Sequence, residues 1–470
     1  MSRWRYDENP FDQSIGVEFD RGNKGQLHGW ISLNNERHSF ASTTQIFDSK
    51  TGLFNDGRFE FPPGSSLHGV SEKGNVSLIL CHRGSATFAT TTSCTVHSQY
   101  AVFGNDHLHR HDPVIRAVHF EFEDIRTIFD LNRGVTVGII HDADHRIAES
   151  IGKHKPEYAP DPRRYDRPLV IYCDGKCNLL PTTQTVLGSV DARRTRYTTT
   201  SRGVAVDDYP RIAIEFADDP VTLERAVDKM SRVRQFFAWM IGYAPVYRNV
   251  SVFIGDKPSK GEYDPNELDV FLSHKGGTTG GEHIMGGSIL VSPSYRGEYF
   301  MDVMTKWLER DDNGHVANLT FFGMMRGMFA PLMENKMCMA ANVFDQLPSR
   351  DKPSERARML DIARHRYQRI VRPHLAVDLD RMNDVIETAI NCRHYLTHGS
   401  TDRERHGANY SDYRSMMFFT EALRFVYGAS ELIECGWNMK EWLGYHFKRN
   451  HPFGAFIDTY DAQLAAALPS

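Results

Sequence analysis

The chain has 470 residues, a length that predicts two to four domains of ordinary size. Its 40% hydrophobic and 24% charged residues exclude a largely disordered chain. A net charge of −5 excludes a bulk polycation that coats nucleic acid or an anionic membrane. The sequence shows neither a membrane-length apolar run nor a signal-peptide core, and its seven cysteines are widely spaced. We therefore expect a cytoplasmic protein without membrane contact.

Short β-strands dominate the predicted structure from about residue 16 to residue 293. They are rich in Val, Ile, Thr and aromatic residues, and Gly, Asn, Asp and Pro separate them. The candidate strands are 29–33, 76–81, 87–92, 117–123, 135–140, 169–172, 211–216, 250–254 and 288–292.

One long helix interrupts the strands. We predict that Asp219 is its N-cap and Pro220 its first residue, with apolar residues recurring at helical spacing up to Met240. After about residue 298 the pattern becomes helical throughout, with Pro or Gly between several segments. These predicted helices are 299–309, 319–329, 334–347, 354–371, 379–398 and 413–435.

These elements predict an α+β chain with two parts. A β-rich N-terminal domain with one long packed helix covers residues 1–297, and a break near 145–167 would allow two subdomains. An all-α helical bundle covers residues 298–470. The Gly-rich loop at 275–281 lies before the last predicted strand, and it lacks the Gly-Lys-Ser/Thr ending of a phosphate-binding P-loop.

An Arg/His pair at the end of a predicted helix is the sharpest candidate site. Three such pairs with four intervening residues occur, and one spans a turn-like Asp-Asp-Asn-Gly while another is broken by a proline. Only Arg393 and His398, in NCRHYLTHGS, close a long amphipathic helix, with Gly399 as its predicted C-cap. The helix dipole at this end favours protonated histidine.

This pair suits RNA cleavage by attack of the 2′-hydroxyl. His398 would transfer a proton, and the guanidinium of Arg393 would hold the scissile phosphate and stabilise its developing charge. The ribose supplies the nucleophile, so no metal or other cofactor is required, and a 2′,3′-cyclic phosphate is the expected product. The alternative, with equal weight, is that Arg393 is an ordinary surface arginine and that His398 only complements the helix dipole.

A basic segment precedes this helix. Residues 350–372 contain eight Lys or Arg against three acidic residues, a local charge of +5. We predict RNA contacts from this segment, with an ordinary solvated helix face as the alternative. The predicted RNA-binding residues are Arg356, Arg364, Arg366 and Arg369.

Two His-rich segments are weaker candidates. His107, His109 and His111 alternate between two aspartates, and His141 and His145 enclose two more. Metal binding at 107–111 and 141–145 stays open, and a polar loop is favoured in both cases. Cys173 and Cys177 have no second cysteine pair that would complete a zinc site.

The Arg/His motif resembles the signature of HEPN-domain ribonucleases, in which an arginine, a polar residue, three variable residues and a histidine end a bundle helix. The polar position is His394, where Asn is commonest in the family. The resemblance implies catalytic roles for Arg393, His398 and His394, and a supporting acidic role for Asp345 in the segment Ala341-Asn342-Val343-Phe344-Asp345. Which imidazole is the general base stays open.

The N-terminal part is similar to the ApeA N-terminal domain. Residues 222–255 resemble the helix–strand core of that domain, and the early G-x-L-H-G-W at 25–30 fits its β-rich start. Together the two resemblances cover about residues 15–460.

The combined resemblance implies an anti-phage abortive-infection effector. It would be a latent endoribonuclease that acts on RNA, with tRNA as one candidate, and that is triggered by an unidentified phage-derived signal through the N-terminal domain. HEPN domains typically dimerise, so a homodimer with a composite site is expected. The alternative is a non-catalytic nucleic-acid or nucleotide binding module with a β-rich partner-recognition domain.

Overall fold

The computed structural model describes most of the chain. The described residues are 14–20, 26–33, 38–44, 63–88, 92–129, 131, 136–140, 153, 170–174, 178–193, 196–200, 203–207, 210–216, 219–255, 266–273, 289–325, 332–348, 354–399, 409–444 and 448–468. The predicted fold class is confirmed: an antiparallel β region with one long helix precedes a helical region. Within these ranges, no helix is long and apolar enough to cross a membrane.

The strands are more numerous than the sequence pattern predicts. Those in the described residues are β1 (Ser14–Asp20), β2 (Gln26–Ser32), β3 (His38–Thr44), β4 (Ser65–Ser71), β5 (Gly74–Phe88), β6 (Thr92–Ser98), β7 (Tyr100–Gly104), β8 (Ile115–Phe122), β9 (Thr136–Ile140), β10 (Val170–Asp174), β11 (Asn178–Thr185), β12 (Gly188–Arg193), β13 (Arg196–Thr200), β14 (Gly203–Asp207), β15 (Arg211–Glu215), β16 (Tyr247–Ile254) and β17 (Glu267–Leu272).

Thirteen of these strands form one antiparallel sheet, in the order β11-β12-β15-β8-β16-β17-β7-β5-β4-β1-β2-β3-β6. β9 pairs with β10 and β13 with β14 in two separate ribbons. β5 has 15 residues, long enough to pair with β4 and β7 through its first half and with β6 through its second. This additional pairing closes β5-β4-β1-β2-β3-β6 into a ring, called the small barrel below.

The small barrel has its own apolar interior, to which alternate residues of its strands contribute. On β4, Leu67 and Gly69 face inward, while His68 and Val70 face outward. The interior consists of Ile15, Val17, Phe19, Ile31, Leu33, Leu67, Val76, Leu78, Cys81 and Val96, and the neighbouring strand β7 adds Ala101 and Phe103.

The long helix of the N-terminal part, α2 (Leu223–Ile241), packs on the remaining half of the sheet, where Phe237 meets Phe122 of β8 edge-on. The sequence predicts its start at Asp219 and Pro220, and this is wrong. The N-cap is Thr222, because Val221 is held extended by two backbone hydrogen bonds with Ile115 at the start of β8. A short helix, α1 (Ile125–Ile128), follows β8.

The helical part contains the remaining helices of the described residues. They are α3 (Gly297–Met325), α4 (Met333–Asp345), α5 (Glu355–His365), a π-helical turn (Arg366–Val371), a 3₁₀ turn (Arg372–His374), α6 (Met382–His398), α7 (Tyr413–Glu434), α8 (Met439–Trp442), a 3₁₀ turn (Lys448–Asn450) and α9 (Pro452–Ala467).

α3 corrects two predictions. The sequence predicts two helices, 299–309 and 319–329, with a turn between them, but one helix continues from Gly297 to Met325. Buried Trp307 and Leu308 precede the expected turn, and buried Ala317 and Phe321 follow it. Packing on both sides therefore overrides the weak helix propensity of Asp-Asp-Asn-Gly.

Other boundaries differ less. The predicted helix 354–371 is α5 continued by the π-helical turn, and α9 was not predicted. The predicted strand 288–292 is wrong for its described residues 289–292, which form bends and no strand. The Gly-rich loop, the His141/His145 segment and Cys177 lie outside the described residues.

One apolar core joins the two parts of the chain. Trp239 of α2 packs its indole against Trp307 and Phe321 of α3 and against Tyr427 of α7, with ring centroids 4.6–5.6 Å apart. The predicted domain border at 297/298 falls at the first turn of α3. This border stays a prediction.

Candidate functional site

Helix α6 positions the predicted Arg/His site. Its packed face consists of Val385, Ile386, Ala389 and Ile390, all fully buried as the pattern predicts. The helix ends at His398, and Gly399 is the C-cap, with φ of 62° and its N–H donated to the Tyr395 carbonyl. The left-handed φ suits glycine, which has no Cβ to clash. Tyr395 and Leu396 of the last turn still pack against the core, whereas Thr397 and His398 are exposed.

Arg393 lies between three helices. It is 8% exposed. Its Nε donates to Asn342 Oδ1 of α4 at 3.0 Å, and its Nη2 donates to Glu355 Oε1 at the first residue of α5. Nη1 is buried without a hydrogen-bond partner among the described residues. A buried guanidinium donor left without an acceptor is costly, so this atom is a candidate contact for an anion.

The two histidines of the motif lie one turn apart on α6. The ring centroids of His394 and His398 are 4.7 Å apart, and His398 is exposed. Burial lowers the pKa of His394, and the charges of His398, Arg356 and Arg393 lower it further, while Glu355 opposes them. The lowered pKa favours the neutral form of the His394 imidazole, which can accept a proton.

Two of the predicted RNA-binding arginines contact α6. Arg356 donates from Nε to Asn391 Oδ1 at 2.6 Å, and Arg364 pairs with Glu387 at 2.6 Å. The charge of Arg356 also acts on His394, so Arg356 lies beside the Arg/His site, whereas Arg364 pairs with a residue one turn earlier on α6.

Arg366 and Arg369 lie elsewhere. Arg366 is only 12% exposed and faces α7, where its Nη1 is 2.5 Å from Glu431 and 2.9 Å from Ser430. Its guanidinium also lies over the Tyr427 ring. Arg369 is exposed. The local charge of +5 is thus largely compensated by carboxylates elsewhere in the helical part, which a count within 350–372 does not include.

The predicted supporting residue Asp345 lies at the last residue of α4 and pairs with Arg358 of α5. The structure brings Glu355 and Asn342 to Arg393 instead. Sequence reasoning missed both residues. Glu355 follows the N-cap Ser354, where an acidic residue is common because it complements the helix dipole. The contact of Glu355 with Arg393 therefore cannot be predicted from the sequence pattern.

The His107–His111 segment is a loop between β7 and β8, as the favoured interpretation predicts. Unexpectedly, His68 of β4 lies beside it. Burial lowers the pKa of His68 to about 4, helped by the charges of His109 and His107 and opposed by Asp112.

Comparison with known families supports the predicted architecture. Residues 22–307 match the family described as ApeA N-terminal domain 1, and residues 339–441 match Apea-like HEPN. HEPN domains typically are ribonucleases and commonly bind RNA and dimerise. No curated protein and no solved structure gives a significant match. Because the first match alone covers more than half of the 470 residues, the chain belongs to the ApeA family, with an ApeA N-terminal domain followed by a HEPN domain.

Proposed function

We propose that this protein is an anti-phage defence endoribonuclease whose HEPN domain cleaves RNA at the Arg393/His394/His398 site. The observation that carries the proposal is the last turn of α6, which joins a guanidinium with an unpaired buried donor to two neighbouring imidazoles. These are the groups that phosphodiester cleavage by internal attack requires, namely a base, an acid and a cation for the phosphate.

In the proposed reaction His394 takes the proton of the ribose 2′-hydroxyl. The 2′-oxygen forms a bond to phosphorus, the bond from phosphorus to the 5′-oxygen breaks, and His398 as imidazolium gives its proton to that leaving oxygen. Arg393 stabilises the charge on the non-bridging oxygens. The products are a 2′,3′-cyclic phosphate and a 5′-hydroxyl. The assignment of His394 as base rests on its lowered pKa, and that of His398 as acid on its exposure.

The burial and the hydrogen bonds of Arg393 support a latent resting state. Its side chain is buried and two of its three nitrogens are engaged by Asn342 and Glu355. An RNA phosphate cannot reach it without a movement of neighbouring side chains. We infer that activation includes this movement, transmitted from the N-terminal domain after it binds a phage-derived trigger.

For RNA contact, Arg356 and the exposed Arg369 are better placed than Arg366, which Glu431 neutralises. We also propose that the HEPN domain forms a homodimer in which two α6 ends share one RNA-binding cleft. tRNA is a candidate substrate. Light scattering of the purified chain tests the dimer directly, with a monomer mass contradicting it.

A second candidate function is non-catalytic binding of RNA or nucleotide by the same domain. The burial and internal pairing of Arg393 favour it, because a phosphate-binding arginine of an active enzyme needs access. In this version the imidazoles contact the ligand without transferring protons.

The test is induced expression followed by sequencing of RNA ends, with His394→Ala and His398→Ala compared with the parent chain. His365→Ala is the matched control, because His365 is an exposed histidine in the last turn of α5. We expect new 2′,3′-cyclic phosphate ends and growth arrest with the parent and the control, and neither with the site variants. Full cleavage by a folded His398→Ala variant would falsify the enzyme assignment, and RNA binding without cleavage by the parent would support the second candidate.

A further inference from the structure

Arg356 is a second guanidinium at the Arg/His site. It is the second residue of α5, and its side chain is 31% exposed, whereas that of Arg393 is 9% exposed. The pKa of His394 is lowered by burial first, then by the charge of His398, and then by the charge of Arg356. Arg356 is therefore a cation that acts on His394 and that solvent reaches.

The amide of Asn391 fixes this guanidinium. Arg356 Nε donates to Asn391 Oδ1 at 2.6 Å, and because a guanidinium only donates, the amide oxygen must face it. Arg356 Nη2 lies 3.9 Å from Glu387 Oε1, beyond hydrogen-bond distance, while the other oxygen of Glu387 is 2.6 Å from Arg364. Within the described residues, Asn391 thus anchors Arg356 and leaves its two terminal nitrogens for another acceptor.

Asn391 lies on the same stripe of α6 as the two imidazoles. Asn391 and His394 are three residues apart, and His394 and His398 are four apart, so each is the neighbour of the next on the helix surface. The His394 and His398 ring centroids are 4.7 Å apart. The contact with Asn391 therefore holds Arg356 one turn from His394, at one end of this stripe.

The amide at position 391 is costly for stability. Asn391 is 7% exposed, and its Nδ2 is buried without a hydrogen-bond partner among the described residues. A buried donor without an acceptor destabilises the fold, and a leucine of similar size would avoid it. Stability alone would favour an apolar residue here, so what the amide supplies is the acceptor for Arg356.

We propose that Asn391 is a positioning residue of the ribonuclease site and that it holds Arg356 beside His394 as a second cation for the RNA phosphate. This role rests on the proposed function and adds to it. Arg393 is buried and paired with Glu355. Arg356 is accessible before that pair opens, and its two terminal nitrogens match two oxygens of a phosphate.

Arg356 would also help to set the charge state of His394. Besides burial, the groups that act on this imidazole are His398, Arg356 and Arg393, which lower its pKa, and Glu355, which raises it. Loss of the Arg356 charge would raise the pKa of His394. A larger fraction of His394 would then be protonated and unable to accept the 2′-hydroxyl proton, so the acidic limb of the cleavage rate would move to higher pH.

The test measures basal cleavage of a single-stranded RNA oligonucleotide by the full chain, as a function of pH and of RNA concentration. We expect Arg356→Gln to raise KM about tenfold, the usual effect of losing a hydrogen bond to a charged group, and to move the acidic limb to higher pH. Asn391→Leu should change both in the same direction. The double variant should equal Arg356→Gln, because Asn391 acts through Arg356.

Two further variants are controls. Arg356→Lys keeps the charge and should keep the acidic limb of the parent. Arg358→Gln is the matched control, because Arg358 lies on the same helix, is 34% exposed and pairs with Asp345 of α4; it should keep the KM and the pH profile of the parent. Urea unfolding should show that Asn391→Leu is at least as stable as the parent.

Additive effects in the double variant would overturn the positioning role, and a parental KM and pH profile in Arg356→Gln would overturn the role of Arg356. An NMR titration of ¹³C-labelled histidines measures the pKa of His394 without RNA, with its signal assigned from His394→Ala. An unchanged pKa in Arg356→Gln and Asn391→Leu, in a chain that cleaves RNA, would overturn these roles and leave the ribonuclease function standing. A parent chain that neither cleaves nor binds RNA would overturn both.

Discussion

Acid sensitivity at His451 follows from its place between the two parts of the chain. His451 is 1% exposed and is the N-cap of α9, where its Nδ1 accepts from the Phe453 N–H at 3.1 Å. Its Nε2 is 3.2 Å from the Trp239 carbonyl of α2 and donates to it as the neutral tautomer. Burial lowers the pKa of His451 to about 3. Protonation would remove the acceptor for Phe453 and place a charge in the core.

The size of the effect follows from linkage. In the unfolded chain the pKa of a histidine is about 6.5. Because the folded pKa of His451 is lower, its contribution to stability is complete above about pH 6.5 and is lost as the pH falls toward 3. A pH of 5.0 lies about 1.5 units below the pKa of the unfolded chain. At 1.36 kcal/mol per unit, protonation of His451 therefore stabilises the unfolded state by about 2 kcal/mol.

The assay is urea unfolding of the parent and of His451→Asn at pH 7.5 and pH 5.0, followed by tryptophan fluorescence. Asparagine keeps an N-cap acceptor and does not titrate. We expect the parent to lose about 2 kcal/mol more than the variant between the two pH values. Other histidines, including half-buried His68, contribute to both proteins and cancel. Equal pH dependence in the two proteins would refute the argument, and exposed His365→Asn should behave as the parent does.

Three further predictions concern the helical part. Gly428→Ala should lower the free energy of unfolding by about 1–3 kcal/mol, because the added Cβ would lie 2.5 Å from a ring carbon of Phe453 on α9. A melting temperature equal to that of the parent would contradict this. Glu431→Gln should lower the free energy of unfolding in urea by about 3 kcal/mol, because it removes the charge that pairs with mostly buried Arg366. A loss below about 1 kcal/mol would show that solvent screens the pair. Glu355→Gln should raise basal RNA cleavage several-fold, because it weakens the ion pair that engages Arg393. Lower cleavage by the folded variant would instead indicate that Glu355 orients Arg393 for catalysis.

Local sequence patterns predict the β-rich and helical regions of this fold, but they miss many strands and the pairing between strands. The amphipathic period of α6 places its buried face and its end at Gly399 correctly, because both depend on neighbouring residues. The closure of the small barrel depends on β5 meeting β6 as well as β4 and β7. Such pairing is decided by packing between distant segments, and no periodicity within one strand encodes it.

α2 and α3 show the same limit of prediction from local sequence. Thr222, not Asp219, begins α2 because a bridge to Ile115, about a hundred residues earlier, keeps Val221 extended. The turn-like residues within α3 stay helical because apolar residues on both sides are buried. In each case a tertiary contact outweighs a local preference of about 1 kcal/mol or less per residue.

The candidate site also has one part that the sequence predicts and another part that depends on tertiary packing. His394 and His398 stand one turn apart on one helix, so their proximity follows from helical geometry alone, and the charge of the adjacent Arg393 acts on His394. Asn342 and Glu355 come from two other helices, and their contacts with Arg393 depend on how α4 and α5 pack beside α6. The family resemblance points to an acidic residue on the neighbouring helix, but the residue it suggests, Asp345, pairs with Arg358.

Glu355 gives the proposed latency a physical basis. A phosphate that approaches Nη1 of this guanidinium, which is 8% exposed, is repelled by the Glu355 carboxylate that is bound at Nη2. Glu355 is 40% exposed at the first turn of its helix, so it can leave Arg393 without unfolding α5. Arg393 is fixed by the core, whereas its carboxylate partner borders solvent. The less costly route to an accessible guanidinium is therefore displacement of Glu355, and a signal that shifts α5 relative to α6 would be sufficient to produce it.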